Sequence, residues 1–491
     1  MAVAARNVDQ LDAVVVGSGP NGLAAAVTLA RAGLSVRVLE RNDTIGGGAR
    51  TLELTLPGFR HDLCSAVHPL GLASGFFRAF GLHRRIRFEV PALSYGHPLD
   101  GGRAGLAWRD LDRTVDELGA DGPAFRRLME PLARRADQVA RFTGTSLVGV
   151  PRHPITTLRF GLRALWQGGP AWNAGFAEDV APAMLTGIAA HAILPLPSLG
   201  AAGGALALGA YAHDRGWPIP VGGSQAISDA MVDDLVAHGG EVVTGVDVRS
   251  LADLPTSRVV LLDVSARGLA RIAGDRLPDR YVEALERVRI GNAVAKVDFA
   301  LAEPVPWANP DLRRAGTLHL GGTRAEIAAA ENAVARGHHP DAPYVLVSQP
   351  SVFDATRAPA GKQVLWTYTH VPRGSSVDRA EAVIAQVERF APGFRDTILA
   401  VSSGTAVDTE AHDVNYVLGD IATGEPNLAQ LVRRPVLSRD PWRTPARGVY
   451  LASAATAPGP GVHGLAGWYA ARSALRHDFG ITRMPRLAPE A

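Results

Sequence analysis

The chain has 491 residues, 47% of them hydrophobic and 20% charged, with a formal net charge of +2. That is apolar material for roughly two to four domain-sized units, and so balanced a charge excludes nucleic-acid binding driven by charge alone. Cys64 is the sole cysteine, which excludes an intramolecular disulfide, a Cys-x-x-Cys redox pair and a cysteine-based zinc site, and suits a cytoplasmic protein.

Met1 to Asp12 carries Arg6, Asp9 and Asp12 ahead of a short apolar run and does not read as a secretory leader. Residues 12–16, valine-rich and short, predict a buried parallel strand. Residues 21–32 predict a helix stopped by Gly33, and 34–39 a second strand ending at Glu40, which completes a βαβ unit. From about 66 to 215 the chain reads as mainly helical with proline-containing loops. Between Asp179 and His213 the only ionisable side chain is His191. Pro182, Pro195, Pro197, Gly200, Gly203 and Gly204 interrupt that stretch, and an uncapped break in hydrocarbon leaves backbone groups unpaired, so a membrane span is disfavoured. Buried helix or tunnel wall is preferred to an interfacial patch.

Gly222-Gly223-Ser224 precedes a predicted helix at 225–238, ended by Gly239-Gly240. Residues 241–244 and 246–248 predict a strand or strand pair, followed by an apolar run at 259–262. Further on, strands are expected at 293–301, 344–348 and 364–370, and helices at 325–336 and 380–390. A strand at 448–452, a Gly/Pro turn and a helix at 464–476 end the series. The fold class is α/β, with a discontinuous Rossmann-like nucleotide domain (1–65, 216–291 and 440–491) interleaved with an α+β substrate domain (66–215 and 292–439).

Gly17-Ser18-Gly19-Pro20-Asn21-Gly22 fits Gly-x-Gly-x-x-Gly between strand and helix. Gly17 permits the tight turn, Gly19 removes the Cβ that would meet a pyrophosphate, and Gly22 allows close helix packing. The helix start then offers N–H groups and its positive dipole end to phosphate. Glu40 stands 18 positions after Gly22, near the ~20 at which an acid accepts hydrogen bonds from a ribose diol. No second fingerprint is found, since Gly200-Ala201-Ala202-Gly203-Gly204 has no preceding strand. With no redox cysteine pair, a disulfide reductase is excluded and a dedicated NAD(P)H site is disfavoured.

A second glycine cluster, Gly46-Gly47-Gly48-Ala49-Arg50, follows the acid and Arg41. It resembles the glycine-rich extension of FAD enzymes in the amine-oxidase and phytoene-desaturase superfamily. In many relatives this reads Gly-Gly-Arg, whereas Gly48 takes the arginine position here and Arg50 lies two residues on. Gly58-Phe59-Arg60-His61-Asp62 resembles the family's Gly-Phe-x-x-Asp element, and Gly222-Gly223-Ser224 with 239–245 its central signature. Residues 448–456 and 458–464 are similar to its terminal flavin motif, in which a helix start aims N–H groups at the flavin pyrimidine. The likeness runs from about Leu11 to His477 and is to phytoene-desaturase-related bacterial oxidoreductases. It implies FAD as cofactor, bound by Gly17, Gly19, Pro20, Asn21, Gly22, Glu40, Arg41, Gly47, Gly48, Ala49, Arg50, Val248, Ala454 and Val462.

His68, past the flavin-facing strand, and His463, in the terminal turn, are the catalytic candidates, as acid/base groups or substrate-orienting donors with pKa near neutrality. A structural hydrogen bond or a steric wall is the competing role, and packing is favoured for His191, His213 and His319. No Gly-x-Ser-x-Gly turn makes a nucleophile, and no metal-ligand spacing occurs, so no metal is expected. Lys296 would face flavin N5 as in amine oxidases, or be a surface or strand-edge lysine by default. The family likeness implies an enzyme moving hydride between a C–H or C=C unit of a lipophilic, isoprenoid or polyene, substrate and flavin N5. Oxygen or a quinone is the expected electron acceptor. A flavin amine oxidase with an aromatic cage, and a flavin-binding interaction protein without turnover, are the alternatives. Peripheral membrane contact and oligomeric state stay open.

Overall fold

A computed structural model describes residues 10–489; the leader reading rests mainly on 1–9, outside the described residues. The strand Leu11–Val16 lies at the centre of a five-stranded parallel sheet. The order is Val449–Leu451, Ser257–Leu262, Leu11–Val16, Val36–Leu39, Glu241–Val243. Both faces of the central strand are covered, which is why its residues 13–16 read as an unbroken apolar run, whereas the edge strand Glu241–Val243 is largely exposed. Ala13 and Val15 pack under the helices Pro20–Ala30, Gln225–Ala237 and Leu465–Asp478, while Val14 and Val16 pack against Leu269, Ile272 and Leu285.

A second sheet has seven strands, ordered Ile398–Gly404, Ala293–Leu301, Gln363–Val371, Val345–Ser348, Thr317–Leu320, Leu93–Pro98, Ala104–Trp108. Its pairings are antiparallel except where Leu318 meets Gly96. On one face Val297, Phe299, Val347 and Leu365 pack with Val383 and Val387 of the helix Ala380–Phe390. On the other, Leu346, Trp366 and Tyr368 join a helical layer that includes Val180–Ala190 and Leu199–Ala212. The parallel sheet thus draws its strands from three separated stretches of chain, and the antiparallel sheet from between them: an α/β fold with a discontinuous Rossmann-like part.

Two expectations change. The region read as mainly helical also contributes Leu93–Pro98 and Ala104–Trp108; every residue of Leu93–Pro98 is buried, so no alternation marks it as a strand. Residues 246–248 make no ladder; the Val246 N–H donates instead to Glu40 O at 2.8 Å. The charge-poor stretch forms two enclosed helices, in agreement with the preferred reading. Among the described residues, no helix is long and apolar enough to cross a membrane.

Candidate active site

A cavity of about 800 Å³ extends from the carboxyl ends of the parallel strands, where open α/β sheets bind ligands, into the helical layer. Gly17 (φ +99°) turns the central strand into the helix Pro20–Ala30; a Cβ there would sit 2.8 Å from the Asp263 carbonyl oxygen. A Cβ on Gly47 would sit 3.0 Å from the Gly19 Cα, so the two glycine clusters touch and form one floor. Glu40, buried on the wall, accepts from the Ser18 N–H at 2.9 Å and Ser18 Oγ at 2.6 Å through Oε2, and from the Asn42 N–H at 2.8 Å through Oε1. These bonds hold its carboxylate in place.

Asp263, half-buried on the same wall, accepts from the Gly22 N–H at 2.7 Å. Desolvation raises its pKa to about 8. The neutral carboxyl at pH 7 spares a pyrophosphate a negative neighbour.

Gly17, Gly19, Pro20, Asn21, Glu40, Arg41, Gly47, Gly48, Val248, Ala454 and Val462 all border the cavity. Gly22, Ala49 and Arg50 lie behind it. Arg50 donates to Gly47 O at 2.8 Å and Thr44 Oγ1 at 3.2 Å, and its Nη2 is 2.7 Å from His412 Nε2, so it braces the glycine loop. The departure at Gly48 has a cause: a Cβ would fall 2.2 Å from the Tyr416 Oη, leaving no room for an arginine. Backbone close approach, a positioned acid and an exposed helix start fit the adenosine diphosphate half of FAD.

Both catalytic candidates border the cavity, and neither titrates near neutrality, because burial lowers each to about pKa 4. His463 Nδ1 accepts from the Leu465 N–H at 3.0 Å, so the proton is on Nε2, which faces Gly459 O at 3.1 Å. Both nitrogens therefore bind its own turn. Ser224 Oγ donates to Ser65 O, so His68 Nε2–H is the donor to Ser224 Oγ at 2.7 Å. Its Nδ1 is a buried acceptor without a hydrogen-bond partner.

Lys296 is not a surface or strand-edge lysine. Its strand is flanked on both sides, and its ammonium pairs with Asp298 and stands 4.9 Å from the Trp366 ring centroid. Burial lowers the Lys296 pKa and raises that of Asp298.

The far chamber is walled by Trp217, Leu346, Trp366 and Tyr368 and by His191. His191 Nε2 lies 2.8 Å from His319 Nε2, and desolvation pushes both rings toward the neutral form. The acidic residues on the cavity wall, Glu40, Asp247, Asp263 and Asp413, all belong to the dinucleotide end. Trp468 and Tyr469 stack at 5.6 Å away from the cavity. Sequence reasoning missed Asp263, although it follows a parallel strand at its carboxyl end, where the crevice rule looks for ligand contacts. Trp217, Trp366 and Tyr416 carried no local signal, since separate segments bring them to the wall.

Residues 15–80 match the family model for a NAD(P)-binding Rossmann-like domain. The chain is similar to pyridine nucleotide-disulfide oxidoreductase domain-containing protein 2 of Rattus norvegicus, 26% identical over 95% of this chain and 94% of that protein. Shorter stretches resemble all-trans-retinol 13,14-reductase of Danio rerio (34% identical, 26% of this chain, 18% of that one) and carotenoid 3,4-desaturase of Haloarcula japonica (39%, 17% and 16%). A putrescine oxidase structure has the same fold, with TM-score 0.59 at 18% identity, covering 95% of this chain and 99% of that one. These likenesses show a Rossmann-like nucleotide-binding segment at residues 15–80 and, over nearly the whole chain, the fold of a putrescine oxidase structure.

Proposed function

We propose that the protein oxidises or reduces a C–H or C=C unit of a lipophilic substrate of isoprenoid or polyene class. One observation carries this reading: a single cavity joins the dinucleotide cradle to an apolar chamber that, among the described residues, bears no acidic side chain. Bound FAD would supply a two-electron hydride carrier at N5, with oxygen or a quinone as electron acceptor where the substrate is oxidised and a reduced electron donor required where it is reduced. The glycine floor and the start of helix Pro20–Ala30 bind the phosphates, Glu40 the ribose, and the backbone at Val248 the adenine. Ala454 and Val462 present the terminal turn to the flavin. Trp217, Trp366 and Leu346 orient an apolar substrate and exclude water. His68 and His463 act there as neutral, hydrogen-bonded walls. The names of the retinol reductase and carotenoid desaturase relatives point to the same substrate class.

Trp366 and Tyr368, whose rings meet at 76° with centroids 5.2 Å apart, favour a second reading, an amine oxidase using their faces to hold an ammonium. An anaerobic absorption spectrum separates the two. Bleaching by membrane lipid extract, with none by NADPH or amines, is expected. Bleaching by a polyamine with peroxide release would establish the second reading, and fast bleaching by NADPH would overturn both.

A further inference from the structure

The helix Pro154–Gln167 is covered on one side only. Thr156 and Phe160 are buried, and Gly161 and Ala164 border the cavity, but Ile155, Leu158, Leu162 and Leu165 are 67%, 63%, 57% and 59% exposed. Steps of three and four residues place those four on one stripe. Val150, 94% exposed, precedes the helix, and Leu437, 65% exposed, lies on a segment joined to the loop before the helix by a hydrogen bond from Ser146 Oγ to Ser438 O at 3.4 Å. Among the described residues, six of the seven large apolar side chains that are more than half exposed stand on this surface, the exception being Val236. Scattered exposure is ordinary, but a concentrated stripe marks a contact.

The rim of the stripe is positive. Arg141, Arg152 and Arg159 are exposed, as are Arg433 and Arg439 on the adjoining segment. No acidic residue occurs between Asp137 and Glu178. An apolar stripe edged by arginine suits the boundary of an anionic bilayer, whereas a second copy of the same face would set these arginines against each other. The cavity opens at the same place. Leu165 and Leu428, the latter 46% exposed, both face outward and border the cavity, so one mouth of it lies between the end of this helix and the segment around Leu428, distinct from the exposed dinucleotide end at Arg41 and Asp247.

We propose that this surface docks the protein on an anionic lipid membrane, with the helix lying in the interface and the cavity mouth turned to the bilayer. A lipophilic substrate then enters without crossing water. That passage rests on the substrate class proposed above; the docking does not.

The test uses the full-length, FAD-loaded protein and sedimenting vesicles of phosphatidylcholine, with and without phosphatidylglycerol. Cosedimentation with the anionic vesicles, weakened by salt, is expected. Leu158→Glu with Leu162→Glu should weaken it more than about tenfold, and Arg159→Glu by about fivefold or more. None of these three side chains borders the cavity, and retained FAD absorbance shows that the variants fold. Unchanged sedimentation in the Leu158→Glu/Leu162→Glu variant would overturn the proposal. So would a concentration-dependent dimer abolished by those changes, which assigns the stripe to a second copy. Uptake of cis-parinaric acid, a fluorescent polyene, tests the substrate class separately. Uptake without vesicle binding overturns the docking alone, and vesicle binding without uptake overturns the substrate class and the passage.

Discussion

Asp263 and His68 are held neutral by the same cause, burial, but with opposite consequences for pH. The Asp263 carboxyl is raised from 3.8 to about 8. Across that window the folded chain keeps a proton that the unfolded chain has released, so this group makes stability fall as pH rises, until about 8. Asp263→Asn keeps an acceptor for the Gly22 N–H and never ionises. Its melting temperature should lose that downward slope between about pH 5 and pH 8; a slope equal to the parent's would refute the account. His68 and His463, lowered from 6.5 to about 4, make stability fall instead as pH drops below 6.5. Neither is an imidazolium at pH 7. His68→Gln, which keeps a donor toward Ser224, should change kcat/KM by less than about tenfold and leave the shape of its pH profile intact. Disappearance of a limb near pH 6.5 would make His68 a titrating acid or base.

At the scale of elements, the terminal helix Leu465–Asp478 crosses the fingerprint helix in backbone contact. A Cβ on Gly467 would fall 1.7 Å from Asn21 O. The crossing joins the glycine fingerprint turn to the terminal turn that carries Ala454 and Val462. Gly467→Val must therefore part the helices and displace both turns. FAD retention through gel filtration is expected to fall by more than about tenfold, since overpacking of this kind costs about 1–3 kcal/mol, with helical circular dichroism preserved. Retention equal to the parent would mean that the crossing does not shape the site. Both helices were legible as periodic apolar segments bounded by glycine; their contact was not, because nothing in either segment names its partner.

Over the whole molecule, a buried ion pair ties the two sheets' regions together. Asp62 and Arg357 are 2.6 Å apart with both side chains fully buried. Asp62 also accepts from Thr51 Oγ1 at 2.7 Å and from the Ser224 N–H at 2.8 Å. Burial alone would raise the Asp62 pKa, but Arg357 and these donors carry it below the ordinary 3.8. The stabilisation is present above the ordinary carboxylate pKa and is lost as pH falls through the lowered value. Arg357→Leu leaves a buried carboxylate unpaired and should cost about 3–5 kcal/mol in a denaturant titration. Replacing both partners with leucine should recover much of that loss; no recovery would mean that the pair's role is not electrostatic.

Local spacing determined the fingerprint turn, the acid Glu40 at the end of the second strand and the terminal Gly/Pro turn, because each is a short-range requirement written in nearby residues. The central parallel strand was equally legible, since burial on both faces demands an unbroken apolar run. Only the tertiary structure decided that Arg50 braces a loop rather than facing the cavity, that Tyr416 fills the space beside Gly48, and that Lys296 is interior. It also decided that the enclosed helix Leu199–Ala212 lines the cavity while the equally long, arginine-edged helix Pro154–Gln167 turns an apolar stripe outward. These depend on contacts between segments far apart in the chain, whose distances and burial are set by packing.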